Sequence, residues 1–197
     1  MFQFDRAFDA RLDRLNPRQR LAFMAALCER LWPNYALYVQ TTGHGDASAL
    51  RSILALLWES LAVKQARIDF ERQAEKLAQL EPPAKDDSFG ARRALEAVTA
   101  LAAALDTLRG EAPEAIHEVS LASRGGVRAF IELTEGEEDE TRLTALVQEH
   151  PLMADERNFQ WAVLETLEEN SLDGDTRKAL RQLGRNEGVS NLGLSLD

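Results

Sequence analysis

One stretch of the chain, residues 23–63, constrains the fold more than any other. It reads FMAALCERLWPNYALYVQTTGHGDASALRSILALLWESLAV, in which two strongly apolar helical patterns flank a polar segment with a Gly-His-Gly-Asp turn. Apolar side chains in its second half recur at the spacing of one helix face: Leu50, Ile53, Leu54, Leu57, Trp58 and Leu61. This stripe predicts a central helix, and Asp46 is placed to cap its N-terminus.

The remaining sequence shows the same helical periodicity, and no segment alternates as paired strands do. Asn16-Pro17, with Gln19 three residues after Asn16, has the residues of a helix start with a capping box. Pro33 predicts the start of a new segment or a kink, because proline disfavours helical geometry at the preceding residue. We therefore predict an all-α protein, a compact bundle of about seven to nine helices with no significant sheet.

The chain of 197 residues suits a single helical domain over residues 1–197. A hinge, if there is one, is expected in the loop at 81–88, which reads EPPAKDDS. Six acids and no base lie between Glu132 and Glu140, and we interpret this run as a solvated loop rather than a cation site or an acidic docking surface. The tail at 189–197 lacks a helical period and is expected to lie extended along the surface.

Charge and composition exclude some classes of partner. The chain has 23 basic and 33 acidic residues and a net charge of −10, which argues against nucleic acid and against an anionic membrane, unless a local basic patch overrides it. The start MFQFDRAFDARLD lacks the apolar run of a secretory signal, and the chain has no run of about 18 apolar residues. With a single cysteine besides, we expect a cytoplasmic protein.

No motif specifies a reaction. The three histidines lie far apart in sequence, and the pairs Glu132/Glu135 and Glu165/Glu168 fit solvated helix faces better than a magnesium site. Cys28 falls in the middle of an apolar stripe, which favours a buried hydrophobe over a nucleophile. We therefore predict no catalytic residue, metal ligand or cofactor; enzymatic activity stays open, with a non-enzymatic role favoured.

The polar residues of the organising stretch form the candidate site: Glu29, Arg30, Asn34, Tyr35, Gln40, Thr42 and Asp46. One interpretation is structural, with capping and pairing near the proline. The other is a recessed polar site that binds an anionic or carbonyl-bearing ligand at the helix N-terminus after Asp46. Trp161, on a polar helix face, is a separate candidate for a self-association or partner surface.

The stretch and the tail also carry a resemblance. The chain resembles the YjaG-like family of bacterial proteins in these residues: Cys28-Glu29-Arg30, Pro33-Asn34-Tyr35, Gln40, Thr42-Gly43, Gly45-Asp46, Trp58-Glu59, Val63-Lys64 and Ser190-Asn191-Leu192-Gly193. The similarity covers nearly the whole chain. That family is classed as a domain of unknown function, so the resemblance implies a helical, cytoplasmic bacterial protein and supplies no reaction.

Two functional hypotheses follow. The first is a noncatalytic binding or interaction module that acts through a helical surface, with a protein partner or a second copy of the chain. The second is a small-molecule-binding protein or enzyme with a polar site around residues 29–46. An apolar cavity beside that segment would favour the second hypothesis, and a large exposed apolar face would favour the first.

Overall fold

The computed structural model describes residues 3–63, 68–110, 112 and 114–196, so that Lys64 and Asp197 lie outside the described residues. Within these ranges the chain forms nine α-helices and no strand, which confirms the predicted fold class. The helices are α1 (Gln3–Leu12), α2 (Pro17–Thr42), α3 (Ala47–Ala62), α4 (Phe70–Ala78), α5 (Phe89–Arg109), α6 (Ala115–Glu135), α7 (Glu140–Glu149), α8 (Pro151–Glu169) and α9 (Gly174–Arg185). A short 3-10 turn, Asn186–Gly188, follows α9.

α2 continues through Pro33 as one helix of 26 residues, so the predicted start of a new segment there is wrong. A proline inside a helix removes one backbone hydrogen bond and costs about 3 kcal/mol. Sixteen residues of α2 are buried, and each large apolar side chain among them contributes about 1.5–3 kcal/mol. Tertiary packing therefore outweighs the local preference of the proline.

α2 is the central helix, with α3, α5, α6, α8 and α9 packed around it. Its N-terminus has the predicted capping box: Asn16 Oδ1 accepts from the Gln19 N–H at 3.0 Å, and Gln19 Oε1 accepts from the Asn16 N–H at 3.0 Å. Because neighbours surround its middle, polar side chains there are taken away from water and require partners in the protein.

α3 begins as predicted, at the Asp46 cap, whose carboxylate accepts from the Ser48 and Ala49 N–H groups at 2.9 and 3.0 Å. Its six-residue apolar stripe is buried. The predicted central place nevertheless belongs to α2, because α3 keeps an exposed side with Ser52 and Glu59 and buries only one face.

Part of the chain after α9, residues 190–192, is buried, which corrects the expectation that this part of the tail lies on the surface. Ser190, Asn191 and Leu192 are at most 2% exposed. A turn holds them: the Ser190 N–H donates to the Leu194 carbonyl at 2.8 Å, and Gly193 adopts the left-handed conformation (φ 70°). The turn carries the Asn191 side chain in among the helices.

Two further connections were predicted from the sequence: an acidic loop and a hinge. α6 extends to Glu135 and α7 begins at Glu140, so the acidic connection comprises residues 136–139 and is shorter than the predicted loop at 132–140. The predicted hinge at 81–88 lies in the connection between α4 and α5 and stays a prediction.

Candidate functional site

Three polar residues in the middle of α2 are buried: Glu29, Arg30 and Asn34 are 1%, 2% and 4% exposed. All three belong to the segment that the sequence singled out. They lie at different angles around the helix, and each bonds to different neighbouring elements. Their contacts divide the polar interior into three parts.

Glu29 accepts hydrogen bonds from three arginines and a tryptophan. The Nε atoms of Arg181 and Arg185, both on α9, lie 2.9 Å from its Oε1 and 3.3 Å from its Oε2. Arg51 of α3 donates to Oε2, and Trp58 Nε1 donates to Oε1 at 3.1 Å. We call Glu29, Arg51, Arg181 and Arg185 the Glu29–arginine cluster.

A glycine on α9 makes this cluster possible. A Cβ atom at Gly184 would lie 2.4 Å from the Ala26 carbonyl oxygen and 2.9 Å from the Glu29 Cβ. α9 therefore approaches α2 more closely than a helix with any other residue there could. This approach brings Arg181 and Arg185, on either side of Gly184, within hydrogen-bond distance of Glu29.

Arg30 belongs to a second network, in which it pairs with two carboxylates. Its Nε donates to Glu156 Oε2 at 2.9 Å, and its terminal nitrogen donates to Asp155. Glu156 Oε1 accepts from the Ser123 hydroxyl at 2.6 Å and from Gln160 Nε2 at 2.8 Å. Because the buried charges of Arg30 and Glu156 both have partners within the protein, this network joins α2, α6 and α8 structurally.

Asn34 connects α2 to the buried turn after α9. Its Nδ2 donates to Asn191 Oδ1 at 2.8 Å, and Asn191 Nδ2 donates to the Ser123 carbonyl at 2.9 Å. The Ser190-Asn191 pair that marks the family resemblance is therefore an internal polar contact.

Arg93 and Glu96 of α5 approach the same region through a glycine of α6. Arg93 pairs with Glu96 at 2.7 Å and donates to the Gly126 carbonyl at 3.2 Å. A Cβ at Gly126 would lie 2.8 Å from Glu96 Oε2 and 3.5 Å from Asn191 Nδ2. Burial raises the pKa of Glu96 to about 7, although Arg93 opposes the shift.

A cavity of about 270 Å³ lies beside Asn34 and Arg93, between the C-terminal half of α2, the start of α5 and the buried turn. We call it the α2–α5 cavity. Most of its wall is apolar, formed by Leu37, Tyr38, Phe89, Leu192 and Leu194. Thr41, Thr42, Ser88 and Gly90 complete the lining.

Two buried polar atoms of residues that line this cavity have no hydrogen-bond partner in the described part of the chain. They are Asn34 Oδ1, an acceptor, and Arg93 Nε, a donor. Glu96 Oε2, next to Arg93, shares this condition. An unsatisfied buried polar group costs about 1–3 kcal/mol, so three such atoms together are an exception that requires an explanation.

The other candidate residues of the stretch separate into scaffold and surface. The Tyr35 hydroxyl donates to the Leu80 carbonyl at 2.9 Å and accepts from the Asp46 N–H at 3.3 Å. Asp46 caps α3, and hydrogen bonds from Ser48 and Ala49 hold its pKa below the usual range. Thr42 is exposed and lines the cavity, its hydroxyl donating to the Tyr38 carbonyl at 2.8 Å, and Gln40 is exposed.

Tyr35→Phe is expected to lower the free energy of unfolding by about 1–3 kcal/mol without a change in ligand binding. The substitution removes the hydroxyl that satisfies the Leu80 carbonyl and the Asp46 N–H. Chemical denaturation followed by circular dichroism measures the loss. A variant as stable as the wild type would show that the contacts of the Tyr35 hydroxyl with Leu80 and Asp46 do not stabilise the fold. Gln40→Ala, at an exposed position, serves as the control.

Trp161, predicted as an interface residue, is partly buried against α1. Its ring meets the Phe8 ring edge-on with centroids 5.1 Å apart, and the Arg11 guanidinium lies 4.8 Å from its centroid. Part of the indole therefore serves contacts within the chain. A role in self-association stays a prediction, which sedimentation velocity of Trp161→Ala against the wild type can check.

Cys28 is buried, as predicted, and burial raises the pKa of its thiol, with the charge of Glu29 adding to the effect. The thiol is therefore neutral and poorly reactive at physiological pH. In the described ranges, His, Cys, Asp and Glu residues do not gather in groups of three or more that could hold a metal ion. None of the helices there is long and apolar enough to cross a membrane.

The sequence analysis did not identify several residues of the Glu29–arginine cluster, the Arg30 network and the α2–α5 cavity. Arg93, Glu156 and Asn191 are buried polar residues at positions that a helical pattern reads as ordinary polar faces or tail. Glu156 and Gln160 offered a weak signal, since they lie one turn apart on the side of α8 that also carries Phe159 and Val163. The arginines of α9 gave none, because a basic helix face is usually solvated.

Comparison with known proteins places the chain in a family. The profile of a family described as "Protein of unknown function (DUF416)" matches residues 7–195. The chain belongs to the DUF416 family. This confirms the resemblance to YjaG-like proteins drawn from the sequence.

Similar proteins match the chain over almost its full length. The uncharacterized protein YjaG of Escherichia coli (strain K12) is 38% identical over 187 residues, which are 93% of this chain and 94% of the relative. An uncharacterized protein of Haemophilus influenzae is 39% identical over 189 residues, with 93% and 94% coverage. The crystal structure of a DUF416 family protein from Shewanella baltica OS155 matches with a TM-score of 0.88, 31% identity and full coverage of both chains.

Proposed function

We propose that the protein is a noncatalytic binding protein that holds a small ligand in the α2–α5 cavity. The observation that carries the proposal is the pair of buried, unpartnered polar atoms on residues lining it, Asn34 Oδ1 and Arg93 Nε. A ligand group that bonds to both would offset the cost of burying them. This is the second of the two sequence hypotheses, in its non-enzymatic form.

The two atoms define the polar part of the ligand. Asn34 Oδ1 is an acceptor and therefore requires a donor from the ligand, whereas the Nδ2 of the same side chain already donates to Asn191. Arg93 Nε requires an acceptor, because the terminal nitrogens of the same guanidinium bond to Gly126 and Glu96. A carboxamide or a hydroxyl group offers both a donor and an acceptor, whereas a carboxylate offers no donor to Asn34.

The rest of the cavity selects an apolar body of modest size. Its volume of about 270 Å³ lies just below the roughly 300–1,000 Å³ of pockets for drug-sized ligands. Leu37, Phe89 and Leu194 line it, so a small aromatic or aliphatic group would replace water there favourably. The ligand class is therefore a small, uncharged molecule with an apolar body and an amide or hydroxyl head.

The hydroxyl groups at the cavity support binding rather than catalysis. The Tyr38 hydroxyl donates to Asp86 at 2.8 Å, and burial, with Asp86 beside it, raises the pKa of Tyr38. The Ser88 hydroxyl accepts from the Ala91 N–H at 3.2 Å as the cap of α5, and Thr41 donates to the Leu37 carbonyl. Each hydroxyl is bound to the scaffold. Tyr38 contacts a carboxylate, that of Asp86, and its raised pKa disfavours the phenolate that a nucleophile would need.

Gly90 gives the test a matched pair of variants. A Cβ at this position lies 3.7 Å from Tyr38 Cδ2, which is ordinary contact, so Gly90→Ala fits without strain. Gly90→Leu places a larger side chain at the cavity wall. Both substitutions favour helix formation over glycine, so both variants are expected to fold.

The protein is purified without denaturation from its own cells, and the small molecules and proteins that accompany it are identified by mass spectrometry. We expect one compound of the stated class with the wild type and Gly90→Ala, and about tenfold less with Gly90→Leu, since overpacking costs about 1–3 kcal/mol. Equal recovery from the wild type and both variants, or recovery of no compound, would contradict the proposal. A stoichiometric protein partner without a small molecule would support the first sequence hypothesis instead.

A further inference from the structure

We propose that the outer side of the Glu29–arginine cluster binds the phosphate group of a small molecule. This site lies on α3 and α9, and it shares no residue with the α2–α5 cavity. The inference therefore stands or falls independently of the proposed function.

The charges of the cluster do not balance. Arg51, Arg181 and Arg185 surround the single carboxylate of Glu29, which leaves an excess of two positive charges. Burial lowers the pKa of Arg51, and the neighbouring Arg185 and Arg181 lower it further, whereas Glu29 raises it. A phosphate group carries close to two negative charges at neutral pH, which matches the excess.

Other charged groups next to the cluster add to this imbalance. Arg177 and Lys178 precede Arg181 on α9 and line a cavity of about 340 Å³ with Trp58 and Glu59. Glu59 is the acid on this side, and Glu187 lies beside Arg185 at the end of α9. Bases still outnumber acids here, in a chain whose overall charge is −10.

The arginines are oriented so that donors remain for a ligand. Arg181 and Arg185 both use Nε toward Glu29, and no hydrogen bond to another described residue uses their terminal nitrogens. Their side chains are 30% and 48% exposed. Guanidinium groups fixed at one edge by a buried carboxylate present the other edge to phosphate with little loss of rotamer freedom.

Aromatic rings fix the cluster further. The Arg51 guanidinium lies 3.8 Å from the centroid of the Trp32 ring, and Arg181 lies 6.0 Å from that of Trp58. Trp58 and Arg181 belong both to the cluster's contacts and to the 340 Å³ cavity. The remainder of a phosphorylated molecule can therefore occupy the 340 Å³ cavity while its phosphate contacts the arginines.

The extent of the basic surface fits a small molecule rather than a nucleic acid. From Arg177 to Arg185 the helix advances about 12 Å, at 1.5 Å per residue. Nonspecific nucleic-acid binding depends on many phosphate contacts over a longer surface, and the net charge of the chain opposes it.

Isothermal titration calorimetry with sodium pyrophosphate at low ionic strength tests the proposal. We expect the wild type to bind, and Arg181→Gln and Arg185→Gln to bind at least about fivefold more weakly, as the loss of one charge-assisted contact implies. A glutamine amide can still donate to Glu29, so both variants are expected to fold. The control is Arg72→Gln on α4, an exposed position with the same change of charge, which should bind as the wild type does.

Arg185→Lys keeps the charge and loses the planar fork, so intermediate affinity is expected, and this variant carries the test if a glutamine variant does not fold. Absence of binding to the wild type at millimolar pyrophosphate would overturn the proposal. Equal weakening in Arg72→Gln would do the same, because it would show a general charge effect. Tighter binding of a single-stranded oligonucleotide than of pyrophosphate would overturn the assignment to a small molecule.

Discussion

Glu29→Gln is expected to lower the free energy of unfolding by about 3–5 kcal/mol, the cost of breaking a buried ion pair from one side. The substitution keeps the shape of the side chain and removes its charge. Arg51, Arg181 and Arg185 then face one another without a carboxylate between them. For a chain of this length the loss corresponds to a melting temperature lower by roughly 10 °C.

Thermal and urea denaturation of the purified variant measure this loss. Glu59→Gln is the matched control, since Glu59 is exposed on α3 and undergoes the same change of charge. Its unfolding free energy should stay within about 0.5 kcal/mol of the wild type. If Glu29→Gln is as stable as Glu59→Gln, the arginines do not depend on Glu29, and the cluster does not hold α9 against α2.

Gly184→Ala is expected to destabilise the protein by about 2–3 kcal/mol, although alanine favours helices over glycine by about 1 kcal/mol. The added Cβ would lie 2.4 Å from the Ala26 carbonyl oxygen and 2.9 Å from the Glu29 Cβ. Both atoms belong to the backbone or the fixed base of a side chain on a buried helix, so neither can move aside. α9 must shift away from α2, which weakens the contacts of Arg181 and Arg185 with Glu29.

The control for this prediction is Gly125→Ala on α6, where an added Cβ would meet no atom within 4 Å. That variant should gain about 0.5–1 kcal/mol from the change in helix propensity. Chemical denaturation of the two variants gives shifts of opposite sign. Stabilisation by both substitutions would mean that α9 and α2 are not in close contact at Gly184.

The sequence predicted correctly those parts of the fold that depend on residues close together in the chain. The capping box at Asn16, the Asp46 cap and the apolar stripe of α3 depend on residues within a turn or two, and all three are present. The start of a new segment at Pro33 and the surface position of residues 190–192 were mispredicted because tertiary packing decides them. The helix persists through Pro33 because α2 is surrounded, and residues 190–192 are buried because Asn191 bonds to Asn34 and Ser123.

The candidate site was predictable in part for the same reason. Glu29, Arg30 and Asn34 stood out as polar residues within an apolar stretch, and the structure places all three in the interior. Their partners lie between 22 residues away, for Arg51, and 157 residues away, for Asn191. No spacing in the sequence encodes which helices meet, so the arginines of α9 and Arg93 on α5 could be assigned only from the folded chain.

The two proposed sites suit ligands of different charge. At Asn34 the interior has polar atoms without partners beside an apolar cavity, which suits an uncharged ligand. At Glu29 the interior has one carboxylate with more cations than it can neutralise, which suits an anion. Separate variants at Gly90 and at Arg185 are therefore expected to weaken binding at one site and leave binding at the other unchanged.

The most direct test of the cavity proposal is a crystal structure of the protein purified from its own cells, at a resolution that shows ordered water. We expect density for a small organic molecule in the α2–α5 cavity, with its polar head within hydrogen-bond distance of Asn34 Oδ1 and Arg93 Nε. Ordered water alone at these two atoms, or protein partners that satisfy both of them, would contradict the proposal that the cavity holds a ligand.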